Sequence, residues 1–298
     1  MSEISRPEQF KIEKIKTAEV AINNALSKLK NVGLFSAAYL DKIKLVLFPE
    51  KEDSSVLVYK NGKIEEKKKE QSYSVDNFMN GLETDYVGLN SIDDYESFNM
   101  NDLNDHQFVE TLFYKERPSY DEFVAHETGH NVFDLAYKQT EGDFEIFDFL
   151  DENGNKKGET TDCSEDYKNK IMEKIQKLFD KYDVKLSIAE FDLQRQKIAE
   201  IFALLTQREF SKRLGTFEKN HANVNMDKAK KVSSDLTEQV HELNVKTRRN
   251  ISVDNFYSEN HMLSFIIAPI LEHEYPDFNE RIKFFELEIE VLKNEIHS

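Results

Sequence analysis

The stretch Phe123-Val124-Ala125-His126-Glu127-Thr128-Gly129-His130-Asn131-Val132-Phe133-Asp134-Leu135-Ala136-Tyr137 constrains the fold of this chain more than any other. On a helical wheel at about 100° per residue, His126, Glu127, His130 and Asp134 share one side with Phe123, Phe133 and Tyr137. Val124, Ala125, Thr128, Gly129, Val132, Leu135 and Ala136 fill the other side. A helix so apolar around its girth belongs inside a core, with its polar groups turned to a partly apolar cavity. Ala125, Gly129 and Ala136 form a stripe of small residues along which a neighbouring element can approach. Gly129 loses about 1 kcal/mol of helix propensity against alanine, and a close packing contact is the expected reason for it.

The polar side carries the chemistry. Residues four apart on a helix lie one turn apart on the same face. His126 and His130 can therefore hold one zinc ion between their imidazoles, with Glu127 beside them to take a proton from a metal-activated water. This is the spacing used by zinc hydrolases. The chain has only eight histidines in 298 residues.

The string HETGHNVFDLA resembles the active-site helix of zincin metallopeptidases. It is most similar to the HExxHxVxD form shared by thermolysin-like and anthrax-lethal-factor-like enzymes. These are gluzincins, and the resemblance implies a glutamate on a later helix as third ligand. The best candidate is Glu200, in Ile198-Ala199-Glu200-Ile201-Phe202-Ala203-Leu204-Leu205. There Ile198, Ile201, Phe202 and Leu205 make one apolar face, so the segment reads as a buried helix with Glu200 off that face. Its AEIFA string is similar to the ligand-bearing segment of lethal-factor-like enzymes. The likeness covers these two short stretches and nothing else in the chain. Glu190, Asp192, Glu209 and Glu259 are fallback ligands.

A metzincin would need histidine where Ala136 stands. A deformylase-like site would use a cysteine upstream of the helix, whereas the only cysteine, Cys163, lies downstream and reads as an inert buried thiol. Two positions depart from the family pattern. Leu204 stands where gluzincins often have a second carboxylate, and Leu193 where the lethal-factor pattern has a tyrosine. The group that would stabilise an oxyanion is therefore open among Tyr182, His221, His241 and Tyr257. Asp134 does match the pattern, placed one turn beyond His130 to accept that ring's other N–H.

The formal net charge of −17 argues against a nucleic-acid partner, which wants a basic face. It fits a protein or peptide substrate of basic character, steered over long range, as well as it fits plain solubility. One cysteine rules out an internal disulfide framework. Residues Met1 to Glu8 are polar and do not read as a secretory signal. The longest apolar run, Met262 to Leu271, is too short for a bilayer and contains Pro269, so no membrane partner is expected. The expected setting is a reducing cytoplasm, the cell's own or that of a host reached by a signal-peptide-independent route.

Glu8 to Val32 reads as a long amphipathic helix ending near Gly33. Lys42 to Phe48 and Ser55 to Tyr59 read as strands, with Asn61-Gly62 a hairpin turn and Lys63 to Glu70 a return strand. Phe108 to Tyr114 reads as a further strand, either a core strand or a ledge for an extended substrate. Gln139 to Asp166 holds ten acidic and two basic residues, a local charge of −8, and reads as an acidic insertion turning at Asp151 to Asn155. Such an insertion near a cleft would select basic side chains. Tyr167 to Tyr182, Leu193 to Arg213, Ala229 to Leu243 and Phe278 to Ile296 read as helices. The expected architecture is α+β and zincin-like. Residues 1–137 would form a strand-bearing subdomain ending in the histidine helix. Residues 138–298 would form the acidic insertion and a helical subdomain supplying Glu200. The expected function is zinc-dependent endopeptidase, as in a bacterial effector protease. The alternatives are a zincin-shaped binding or scaffolding protein without catalysis, and a helical interaction protein with a chance motif.

Overall fold

A computed structural model describes residues 6–41, 44–48, 55–60, 62–68, 86–90, 119–150, 156–191, 193–221, 225–247 and 260–288. The expected strand at Phe108 to Tyr114, the turn at Asp151 to Asn155, and Asp192, Tyr257 and Glu259 lie outside them. The class is α+β, mostly helical with a small sheet.

The chain opens with α1 (Arg6–Asn31), whose Ile22, Ala25, Leu26 and Leu29 are buried along one stripe. Gly33 turns it off at φ 63°, a left-handed conformation that favours glycine. A single turn, α2 (Ala37–Leu40), leads to β1 (Lys44–Phe48), β2 (Ser55–Lys60), β3 (Lys63–Lys68) and β4 (Tyr86–Asn90). These form one sheet in the order β3-β2-β1-β4. The β1/β2 and β2/β3 pairs are antiparallel, with Leu45 opposite Tyr59 and Tyr59 opposite Ile64, while β1 and β4 run parallel. The Tyr59 hydroxyl donates to Asn23 Oδ1 at 2.7 Å, and Glu19 accepts from the Ile64 N–H at 2.6 Å, which ties the hairpin to α1.

Next comes α3 (Tyr120–Thr140), the helix carrying the two histidines. Its start is a capping box: the Ser119 hydroxyl accepts from Glu122 N–H, and the Glu122 carboxylate accepts from Ser119 N–H. Helix α3 is flanked by α1, by β4 and by α5 (Arg195–Leu214). The hairpin β5 (Glu145–Leu150) and β6 (Lys156–Asp162) and the helix α4 (Glu165–Tyr182) separate α3 from α5 in sequence. After α5 come a turn, α6 (Phe217–Asn220), then α7 (Met226–Thr247), α8 (Asn260–Glu274) and α9 (Phe278–Phe284). Helix α8 packs on α5, and α7 on α8. It buries the apolar run from Met262 to Leu271. No helix among the described residues is long and apolar enough to cross a membrane.

The expected C-terminal helix, Phe278 to Ile296, is interrupted within its described part, and residues 289–296 lie outside the described residues. It stops at Phe284, and Glu286 turns the backbone at φ 56°. Two side chains take carbonyls that a longer helix would have used: Lys174 Nζ donates to Phe284 O at 2.8 Å, and the Tyr167 hydroxyl to Phe285 O at 3.0 Å. Phe285 is then free to pack edge-on against Phe202, with ring centres 5.4 Å apart. That contact extends an aromatic core in which Phe133 meets Phe202 and Tyr137 meets both Phe144 and Tyr167. Burial of these rings stabilises the fold by about 25 cal/mol per Å² of apolar surface.

Candidate metal site

Helices α3 and α5 run antiparallel, and the residues that couple them make a ladder. Glu122 meets Ser211, His126 meets Gln207, Gly129 meets Ala203 and Thr206, His130 meets Glu200, and Asp134 meets Arg195. The small residues on α3 allow this. An added Cβ on Gly129 would lie 2.7 Å from Ala203 Cα, closer than any real contact. The two backbones are therefore in close contact at that rung, which is the packing reason expected for the glycine.

At the centre of the ladder, His126, His130 and Glu200 converge as a group able to hold a metal ion. His126 Nε2 lies 3.0 Å from Glu200 Oε1, His130 Nε2 lies 3.1 Å from Glu200 Oε2, and the two Nε2 atoms are 3.2 Å apart. Zinc bound at about 2.0–2.1 Å in a tetrahedral site places neighbouring donors about 3.3 Å apart. The three side chains already stand at that spacing. Glu200 is 4% exposed, unlike an ordinary helix-surface carboxylate, and the His130 side chain, 26% exposed, is the open edge of the group. Burial works against a charge on His126. The Glu200 carboxylate outweighs it, helped by Glu127 and Gln207, and lifts the imidazole to about 9. A cation that binds there competes with a proton for the same Nε2 lone pair. Glu127 is half-buried next to His126.

Polar clamps hold the ladder on either side. Upstream, Glu122 is fully buried and accepts from the Ser211 hydroxyl, from Asn220 Nδ2 at 2.7 Å and from Thr216 Oγ1 at 3.3 Å. His221 Nε2 stands 3.2 Å from Ser211 Oγ and 3.5 Å from Glu122 Oε1. Burial alone would raise the Glu122 carboxyl, but hydrogen bonds from His221, Ser211 and the Ser119 N–H hold it down to about 2. Burial, reinforced by Arg208, holds His221 below its ordinary value. Downstream, Arg195 donates from Nε to Asp134 Oδ1 at 3.1 Å and from Nη2 to Oδ2. It also reaches Thr161 Oγ1 and lies over the Phe144 ring. The expectation that Asp134 would orient His130 is therefore corrected: both of its carboxylate oxygens are turned to Arg195, a planar fork that matches them.

The upstream clamp makes stability depend on pH. The folded carboxyl of Glu122 lies below its unfolded value of 4.5, so its stabilisation is complete above about pH 4.5 and lost as pH falls toward 2. The gap corresponds to about 3 kcal/mol at most. In urea unfolding at pH 7, Glu122→Gln is expected to be less stable than the wild type by an amount of that order, with the difference falling to about half by pH 3. A constant difference across that range would exclude the linkage.

The other sequence candidates lie elsewhere. Glu209 is paired with Arg213 and Arg281, and Glu190 closes a single 3-10 turn before α5. Tyr182 donates to Glu274, His221 sits in the upstream clamp, and His241 is exposed on α7. Leu193 and Leu204 are core residues. Cys163 is fully buried, and burial followed by the nearby Asp162 pushes its thiol far up, as an inert thiol requires. Sequence reasoning missed Gln207, Glu122 and Arg195. Only the capping-box pattern Ser119-x-x-Glu122 carried a signal for one of them. Comparison with protein-family models, curated proteins and solved structures returns no match to this chain.

Proposed function

We propose that this chain is a zinc-dependent endopeptidase of the zincin type, with His126, His130 and Glu200 as metal ligands and Glu127 as general base. The observation that carries the reading is the convergence of two imidazole nitrogens and one carboxylate at tetrahedral-edge spacing. Two histidines and a glutamate suit zinc among the common divalent ions, and three protein ligands leave a fourth position for water. A strand-bearing N-terminal part leading into α3, and a helical C-terminal part supplying Glu200, agree with that architecture.

Bound there, zinc supplies an acidified water and polarises the scissile carbonyl. The chain's own residues do the rest. Glu127, half-buried beside His126, would take the water's proton and deliver it to the leaving amine nitrogen. Glu200, buried between the rings, balances the cation's charge. The substrate is an extended protein segment of basic character, attracted by the acidic stretch that follows α3. The setting is a reducing cytoplasm, the cell's own or a host's.

The test is metal content and cleavage measured together. Purified protein should hold one zinc per chain and cleave a lysine- and arginine-rich peptide library. A chelator should stop cleavage, and added zinc should restore it. His130→Ala and Glu200→Gln should each lose stoichiometric zinc. Full zinc affinity in Glu200→Gln would move the third ligand elsewhere.

One observation favours a second reading, a metal-holding scaffold without catalysis. Of the groups considered for an oxyanion, Tyr182 and His221 are engaged elsewhere and His241 is solvent-exposed. Stoichiometric zinc with no cleavage of any member of the library would select this reading.

A further inference from the structure

Helix α5 touches both ring nitrogens of His126. Glu200 faces Nε2, and two turns later on the same helix Gln207 faces Nδ1, with Oε1 at 3.0 Å. Gln207 is 4% exposed, and the contact is enclosed between the two helices. The close approach at Gly129 brings the two helices within reach of this grip. The rung at Ala203 and Thr206 lies between the two polar residues and brings them level with one imidazole.

The chemistry of the contact fixes the ring. An amide carbonyl oxygen accepts and cannot donate, so Nδ1 must carry the hydrogen. In the neutral imidazole the lone pair is then on Nε2, the nitrogen that faces Glu200 and His130. If the amide were turned about, its NH₂ would face Nδ1, the hydrogen would move to Nε2, and that nitrogen would be closed to a cation. We propose that Gln207 is a positioning residue that sets the tautomer and plane of His126 for metal binding, a role that rests on the zinc reading above. It does for His126 what Asp134, committed to Arg195, does not do for His130.

The experiment compares wild type, Gln207→Leu and Gln207→Glu. Zinc affinity is measured by competition with a chelating dye at neutral pH. Thermal unfolding of the three metal-free proteins is recorded beside it. Loss of an outer partner of a metal-binding histidine lowers affinity by about 10–100-fold, and Gln207→Leu should fall in that range. Gln207→Glu keeps an acceptor at the same place and should bind zinc within about threefold of wild type or tighter. In zinc-loaded wild type labelled with ¹⁵N-histidine, His126 should show a protonated, slowly exchanging Nδ1 and a metal-bound Nε2.

A purely structural side chain would not give rescue by glutamate alongside loss by leucine. Equal affinities for wild type and Gln207→Leu, or a hydrogen on His126 Nε2 with the metal on Nδ1 in the zinc-loaded protein, would overturn the proposal while leaving the zinc reading in place. Wild type without zinc affinity would overturn both. Should Gln207→Leu fail to fold, weak binding by a folded Gln207→Glu would still refute the assignment.

Discussion

On the zinc-endopeptidase reading proposed above, Glu127→Gln is expected to keep zinc and lose cleavage. Glutamine has nearly the shape of glutamate but cannot accept the water's proton. Removal of a positioned general base lowers turnover by about 10²–10⁴-fold. His126, His130 and Glu200 keep their donor atoms in this variant, so metal content should stay at the wild-type level. Measured as kcat/KM on the best peptide from the library, the loss should appear in kcat with KM little changed. A protein that lost both zinc and activity would place Glu127 among the ligands. One that lost neither would remove it from the chemistry.

Gly129→Ala should damage both stability and the site. The new methyl would meet Ala203 Cα at 2.7 Å and Thr206 Cβ and Oγ1 at 3.0 Å. Ala203 Cα is backbone, and Thr206 is held by its hydroxyl donating to Phe202 O at 3.0 Å, so neither can give way cheaply. Overpacking of this kind destabilises by about 1–3 kcal/mol. Alanine's better helix propensity offsets about 1 kcal/mol of that. Because the clash is against backbone, its cost should lie in the upper part of that range, about 2–3 kcal/mol, and the net loss in urea unfolding should be about 1–2 kcal/mol. The larger effect is geometric. Relief of the clash must spread α3 from α5, which moves Glu200 away from both rings. A displacement of about 1 Å in such a constellation is enough for a hundredfold loss of turnover. Zinc affinity should fall with it. Stability at or above the wild-type level would mean that the backbones do not approach as described.

What the sequence made legible follows from what local spacing can encode. The period of apolar residues placed α1, α3, α4, α5 and α7, and the Gly62 turn placed the β2/β3 hairpin. The convergence of His126 and His130 is a property of one helix, so it could be read from five residues. Glu200 needed a family likeness, because nothing local joins it to α3. Its neighbours Lys197, Gln207, Arg208 and Ser211 are polar yet buried, which blurs any wheel-based division of α5 into inner and outer faces. Partner choice was the least legible. Asp134 fits a family pattern but is paired with Arg195. Phe278 to Ile296 has a helical period, yet Lys174 and Tyr167 take the carbonyls at Phe284 and Phe285. Such outcomes are decided by side chains far away in sequence, and no window of the chain contains both members.

The α3/α5 ladder has a bearing on when the site comes into being. Its hydrogen-bonded rungs join residues 61 apart at Arg195 and Asp134, 81 apart at His126 and Gln207, and 89 apart at Glu122 and Ser211. Contacts of such separation must first meet the entropy of closing long loops, so they form slowly and late. A chain emerging during synthesis exposes its histidines well before it has made Glu200. The three groups can therefore share one ion only after the two helices have met, and zinc uptake by a refolding chain should follow the pairing of α3 with α5 rather than precede it.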